Sequence, residues 1–274
     1  MNLVNAELLK IRTTSTWWIF GIILLPLWAL SLLVNWGTAN LTSQADQGDL
    51  TADQAEQVRV ASEAVNVAAN LYTSGQFFGV LIVMLLGAIV VTNEFFHQTA
   101  TTTFLVTPRR ESVVLAKLVA SALLGLVFWL ITTVGNLIAA PFILRSMDVG
   151  AQLGEGAIWR AIGLNALAFV LWAVLGVGFG VLIRSQIGAT VTLALVYVVG
   201  TFGASLIFTL LASKVADWFS KVEVLVPTTA SALMISGTEL PGNPPRWVGA
   251  VVLIGYATIA GVLGTVITKR RDIS

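Results

Sequence analysis

The sequence predicts an all-α membrane protein of six transmembrane helices. Three observations lead there. The 274 residues are 57% hydrophobic and only 11% charged, against about 25% charged residues in an ordinary soluble domain. Six charge-free stretches, at 17–36, 71–92, 118–144, 161–183, 187–211 and 247–268, each reach the ~20 apolar residues needed to cross hydrocarbon. They are continuously apolar and not alternating, which favours helices over a β-barrel. The chain therefore reads as one transmembrane domain over residues 1–274, and the absence of cysteine excludes a disulfide scaffold.

An even number of spans puts both termini on one side. If that side is the cytoplasm, it holds nine of the 15 Lys and Arg residues and only Glu7, Glu94, Glu111 and Asp272 among the acids. Lys/Arg asymmetry sets orientation, so both termini are expected in the cytoplasm.

The elements follow in order. Residues 1–16 place Val4, Leu8 and Ile11 on one helical face, with Glu7 and Lys10 elsewhere. That pattern fits an interfacial amphipathic helix, and equally a frayed terminus. The first span is read as retained, because Pro26 interrupts it and no small-residue cleavage site follows. Trp17, Trp18, Trp36, Trp159 and Trp247 sit where interface anchors belong. Trp28, Trp129 and Trp172 fall mid-span and are read as bundle packing. Residues 37–70 form an acidic outer loop, with Thr51 and Gln54 as a capping box for a helix running into span two.

The segment from Asn93 to Glu111 carries the most information. Phe95, Phe96 and His97 form a short element whose exposed aromatics suggest a docking surface, or else fold back into the membrane interface. Thr107 and Pro108 read as N-cap and first position of the next helix. Lys117 is expected to snorkel to the headgroups. In the outer segment 212–246, Leu211, Val215, Trp218, Phe219, Val222 and Val226 recur at helical spacing, which predicts an interfacial helix stopped by Pro227. Residues 230–235 are too short to span the membrane but long enough to re-enter it. Gly75 with Gly79, and Gly176 with Gly180, permit close helix approach.

Catalytic chemistry is missing. One His and no Cys leave no His/Cys metal cluster and no Cys nucleophile, and there is no P-loop motif. No metal site is expected, and the Lys269-Arg270-Arg271 tail reads as a stop-transfer anchor with no nucleic-acid role. The spans lack ionisable relays. Asn136 and Asn165, with the mid-span Trp129 and Trp172, are the candidates for contact with a substrate, although helix bridging suits the two amides better.

Three stretches resemble a bacterial ABC-2-type permease, the membrane subunit of an ATP-binding-cassette exporter. They are Glu7, Lys10 and Arg12 through Trp17 and Trp18; Asn93 and Glu94 through Thr107, Arg109 and Arg110 to Lys117; and the closing Lys269-Arg270-Arg271. The resemblance implies a multi-pass protein of the bacterial cytoplasmic (inner) membrane, with an amphipathic N-terminal helix and a re-entrant pair before span six. It implies a coupling loop of Glu94, Phe95, Phe96, His97, Arg109 and Arg110 that docks on a separate P-loop ATPase. ATP and Mg would bind that partner and not this chain. Two ATPase copies and a second permease, identical or paralogous, would complete the complex. The cargo would be hydrophobic or amphipathic: a drug, an antibiotic or a lipid-like molecule. The alternative function is a nucleotide-independent channel or facilitator.

Overall fold

A computed structural model describes residues 3–44, 52–99, 101, 103, 105, 107, 109–183, 185–239 and 242–270. Helix α1 (Leu3–Thr13) precedes α2 (Thr16–Gln44), α3 (Ala52–Ala61), α4 (Ala64–Tyr72) and α5 (Gln76–Phe96). After the connecting loop come α6 (Arg110–Ser146), α7 (Gly156–Leu182), α8 (Gln186–Lys214), the single turn α9 (Phe219–Val222), α10 (Pro227–Ile235) and α11 (Arg246–Arg270). No strand occurs among the described residues. Among the described residues, six segments are long and apolar enough to cross a membrane: Thr16–Thr42, Ala64–Phe96, Arg110–Ser146, Gly156–Leu182, Gln186–Lys214 and Arg246–Lys269. Thr51 and the tail from Arg271 onward lie outside the described residues.

Helix α2 runs past Trp36 to Gln44, where the sequence suggested a loop. Its last polar turns are held by side chains bonding back along the helix: Thr38 to the Val34 carbonyl, Asn40 to that of Trp36 and Thr42 to that of Thr38. Pro26 is accommodated inside it.

At the centre of the bundle α5 and α7 run side by side. Gly176 lies against the Met84 carbonyl, Gly87 against that of Ala173 and Gly180 against that of Ala88. A Cβ at any of these positions would collide with main chain, so the backbones approach closely because the residues are glycine. Gly178 does the same for α11 at Ala260. Lipid tails are as apolar as the side chains, so this packing, and not water exclusion, holds the spans together.

The second span is one membrane crossing but two helices. Thr73, Ser74 and Gly75 interrupt it between α4 and α5. Gly75 has φ +84°, and an added Cβ would meet Trp28 Cδ1 at 2.8 Å, so glycine is required twice over. Such a break frees backbone carbonyls that hydrocarbon cannot satisfy. Asn136 of α6 satisfies them. Its Nδ2 donates to the carbonyls of Tyr72 at 3.0 Å and Ser74 at 2.9 Å, and its Oδ1 accepts from Trp28 Nε1 at 2.7 Å. Asn35 of α2 donates to Ser74 Oγ at 2.7 Å. The amide of Asn136 is thus spent on helix bridging, and Trp28 has its place at the same joint.

The outer segment departs from expectation. No single amphipathic helix runs to Val226. Helix α8 closes at Lys214, where the Ala216 N–H turns back to the Leu211 carbonyl, a closing pattern that ends helices. The chain then descends into the bundle through α9 and a 3₁₀ turn at Glu223–Leu225. The Leu225 carbonyl accepts from Tyr256 of α11 at 3.1 Å, and Thr228 Oγ1 meets Thr201 Oγ1 at 3.0 Å. Thr201 lies about 20 Å along α8 from Lys214 at 1.5 Å per residue. Helix α10 begins with Pro227 at its first turn, as proline's fixed φ allows, and buries Ala230, Ser231, Met234 and Ile235.

Gly176→Val should lower the thermal stability of the detergent-purified protein by roughly 1–3 kcal/mol through overpacking. Gly163→Ala, where nothing lies within 4 Å of the added Cβ, should leave the melting temperature unchanged; equal behaviour of the two would contradict the α5–α7 packing.

Candidate functional site

The face that carries α1, the start of α6 and the end of α11 gathers the informative charges. Helix α1 is amphipathic, yet its one buried residue is Glu7. Glu94 lies in the last turn of α5, and Lys117 in the second turn of α6. Lys10 bridges Glu7 Oε1 and Glu94 Oε1, both at 2.7 Å. Lys117 bridges Glu7 Oε2 at 2.8 Å and Glu94 Oε1 at 2.9 Å, and also donates to the Val90 carbonyl at 3.2 Å. Two acids and two bases therefore alternate in a closed ring that joins three helices. Glu7, Glu94 and Lys117 are 5%, 6% and 4% exposed. Lys10 is half exposed and completes the ring from the surface.

The ring is electrically neutral, and that is the condition for burying it. Desolvating a single charge costs several kcal/mol, and the cost is recovered only when partners and hydrogen bonds are close to ideal. Burial by itself pulls the Lys10 ammonium down. Hydrogen bonds and charge from Glu7 and Glu94 outweigh that and hold it above the ordinary lysine value of 10.5. Its contribution is therefore present throughout the neutral range and lost only as pH rises past that value.

Lys117 does not snorkel. Two buried carboxylates at its own depth are a better partner than headgroups beyond α1. The sequence carries a signal for this: opposite charges stand at the ends of neighbouring spans, Glu94 closing one and Lys117 opening the next, with Glu7 and Lys10 three residues apart on the adjoining helix.

The connecting loop hangs from the ring. Past Phe96, the Gln98 backbone enters the left-handed region at φ 55°, and the Thr99 N–H returns to the Glu94 carbonyl at 2.9 Å. Thr101, Thr103 and Leu105 are helical. Thr103 Oγ1 donates to Glu94 Oε1 at 3.4 Å, which ties this turn to the ring. Helix α6 starts at Arg110, with Arg109 at its N-cap, and not at the expected Thr107 cap. Thr107 remains bonded backward, its N–H donating to the Thr103 carbonyl at 3.0 Å. Pro108 lies outside the described residues.

The six residues expected to form a docking loop separate in space. Glu94 turns inward to the lysines. Phe95 is half-buried and packs with Val91, Val177 and Val181. Phe96 is exposed, with His97 edge-on to its ring at 5.0 Å. Leu105 is exposed as well. Arg109 faces outward, whereas Arg110 donates to the Thr268 carbonyl at 3.4 Å and Glu111 pairs with Lys269 at 2.6 Å. The last two contacts fasten the start of α6 to the end of α11.

The remaining substrate candidates lie elsewhere. Trp129 Nε1 donates to the Ile162 carbonyl at 3.2 Å, and Trp172 Nε1 to Ser231 Oγ at 3.3 Å. Asn165 is buried with neither amide atom bonded to protein. No cluster of His, Cys, Asp or Glu able to hold a metal occurs among the described residues.

One comparison bears on the bundle that carries this ring and loop. The model of the ABC-2 family transporter protein matches residues 3–203. The chain belongs to that family and is a multi-pass permease of an ABC transporter. No curated protein matches it. The matched region contains all four ring residues and the loop.

Lys117→Met leaves two buried carboxylates with one lysine and should cost about 3–5 kcal/mol in thermal unfolding. Removing Glu7 at the same time, as Glu7→Gln with Lys117→Met, should recover part of that loss, and strict additivity would refute the ring. Asn136→Leu strands the Tyr72 and Ser74 carbonyls and the Trp28 N–H, and should cost about 1–3 kcal/mol per stranded group, with quenching or shift of Trp fluorescence reporting the released indole.

Proposed function

We propose that this permease is the membrane subunit of an ATP-driven exporter in a bacterial cytoplasmic membrane, and that it docks on a separate P-loop ATPase through the loop after α5. ATP and Mg are held by that partner, two copies of which work with two permeases. The observation that carries the reading is the exposed Phe96–His97–Leu105 surface next to the buried ring. Membrane-facing apolar residues are solvated by lipid, but Phe96 is the closing residue of its span, and His97 and Leu105 stand beyond it. Aromatic residues exposed in such a place are the usual anchors of protein interfaces.

The ring gives the docking a mechanical use. Thr103 links the loop to Glu94, and Glu94 reaches α1 and α6 through the two lysines. A push on the loop is delivered to three helices at once and not to α5 alone. Apart from the ring, the described spans bury no charge, which suits a hydrophobic or amphipathic cargo, and without an ionisable relay along the spans the energy would come from outside.

Phe96→Ala with Leu105→Ala should abolish co-purification of the P-loop ATPase from detergent-solubilised membranes while leaving the melting temperature within about 0.5 kcal/mol of wild type, as surface changes do. Glu94→Lys should lose both, because it breaks the ring. Retention of the ATPase by the double variant would remove the docking surface from this loop, and transport by the chain without any ATPase would leave a channel or facilitator as the function.

A further inference from the structure

A cavity of about 460 Å³ lies between α7, α8, α11 and the re-entrant turn, and neither the family nor the docking reading assigns it a role. Its wall includes Trp172, Phe179, Leu193, Tyr197, Pro227 and Tyr256. Apart from the Thr192 hydroxyl at the cavity's edge, the polar side-chain atoms in that wall are spent. Trp172 Nε1 donates to Ser231, the Tyr197 hydroxyl to the Phe77 carbonyl, the Tyr256 hydroxyl to the Leu225 carbonyl, and Thr201 Oγ1 bonds Thr228 Oγ1. What remains for an occupant is methylene and aromatic surface, so the occupant is hydrocarbon.

The cavity's place in the membrane narrows this further. On α8 it runs from Thr192 to Thr201, about 14 Å of helix. That is close to half of the ~30 Å hydrocarbon core. Thr201 stands at the middle of α8, and Ile183 and Thr192 near its terminal-face end. The far end is closed at mid-depth by Leu225–Thr228. The side is open: Thr192, Val196 and Gly200 are exposed along one edge of α8, and what borders them at this depth is lipid. The groove is thus one leaflet long, roofed at the bilayer midplane and open to the hydrocarbon.

We infer that this groove is a binding site for a single acyl chain of a phospholipid from the leaflet on the terminal face, with the chain's methyl end under the re-entrant turn and its headgroup outside. Its depth and chemistry select a linear chain over a bulky or polar guest. The site does not depend on the ATPase-docking reading; it requires that the bundle span a membrane and that the second permease leave this edge of α8 open.

The test reconstitutes the full chain in phosphatidylglycerol vesicles doped with phosphatidylcholine that carries a diazirine on one acyl chain. With the diazirine at the methyl end, irradiation should label Tyr197 and Trp172, which are 5% and 4% exposed and reachable only through the groove. With the diazirine near the carbonyl, label should move to Phe179 and Thr192. Gly200→Leu, where an added Cβ meets nothing closer than Val196 Cγ1 at 3.9 Å, should remove most label from Tyr197 and Trp172 while exposed Phe202 and Leu206 keep theirs. Label at Tyr197 and Trp172 no greater than at the core residue Phe169 would overturn the proposal, as would label indifferent to Gly200→Leu or to the diazirine's depth. The chain has no native cysteine, so Val196→Cys tests the competing occupant. Efficient disulfide formation between copies would put a second copy of this chain in the groove and overturn the lipid site.

Discussion

Hydrocarbon supplies no hydrogen-bond partner, and this structure is arranged around that fact. A broken span and three buried charges lie at or near membrane depth, and each is answered from within the chain. Asn136 takes up the two carbonyls released at Thr73–Gly75. Glu7, Lys10, Glu94 and Lys117 answer one another. The helices that meet at these two places are therefore located by polar pairing, while the rest of the bundle is located by fit. Asn165 departs from this pattern, buried with neither amide atom bonded, and Trp17 Nε1, Ser121 Oγ and Thr133 Oγ1 are likewise buried without a partner.

Fit and pairing divide the molecule along its length. The α5–α7 seam depends on carbonyls meeting glycines, which needs no polarity and tolerates no added carbon. The terminal face depends on charge, which tolerates small displacements provided that the alternation of sign survives. A push delivered to the loop meets the charged joint first and the rigid seam second. That order suits the proposed docking, in which motion would pass from the surface into the spans.

The fold class was legible in composition alone, because absence of charge over about twenty residues has one physical meaning in a helix. Legible too were the close approaches at Gly176 and Gly180, and the bridging use of Asn136. The ring was hidden for a simple reason. Sequence pattern sets Lys117 at the level of headgroups and gives α1 an apolar stripe to bury, and neither points to a buried carboxylate partner. Which of two partners wins depends on which helices adjoin, and that is set by packing between segments distant in sequence. The break at Gly75 was hidden likewise, since a glycine in an apolar run reads as a packing residue unless its φ is known. The outer segment misled because helical spacing of Leu211 through Val226 also describes a chain that turns down and follows the bundle.

The ring has a consequence for how the chain is made. Glu7 and Lys10 leave the ribosome before their partners: Glu94 comes 84 residues after Lys10, and Lys117 comes 110 residues after Glu7. At synthesis rates of about 5–20 residues per second, the N-terminal helix waits roughly 6–22 seconds for its counter-charges. During that interval its glutamate has only water or its own lysine. Docking of α1 then reports that the second and third spans have entered the membrane with the right ends facing it, so a helix translated before those spans is placed after them.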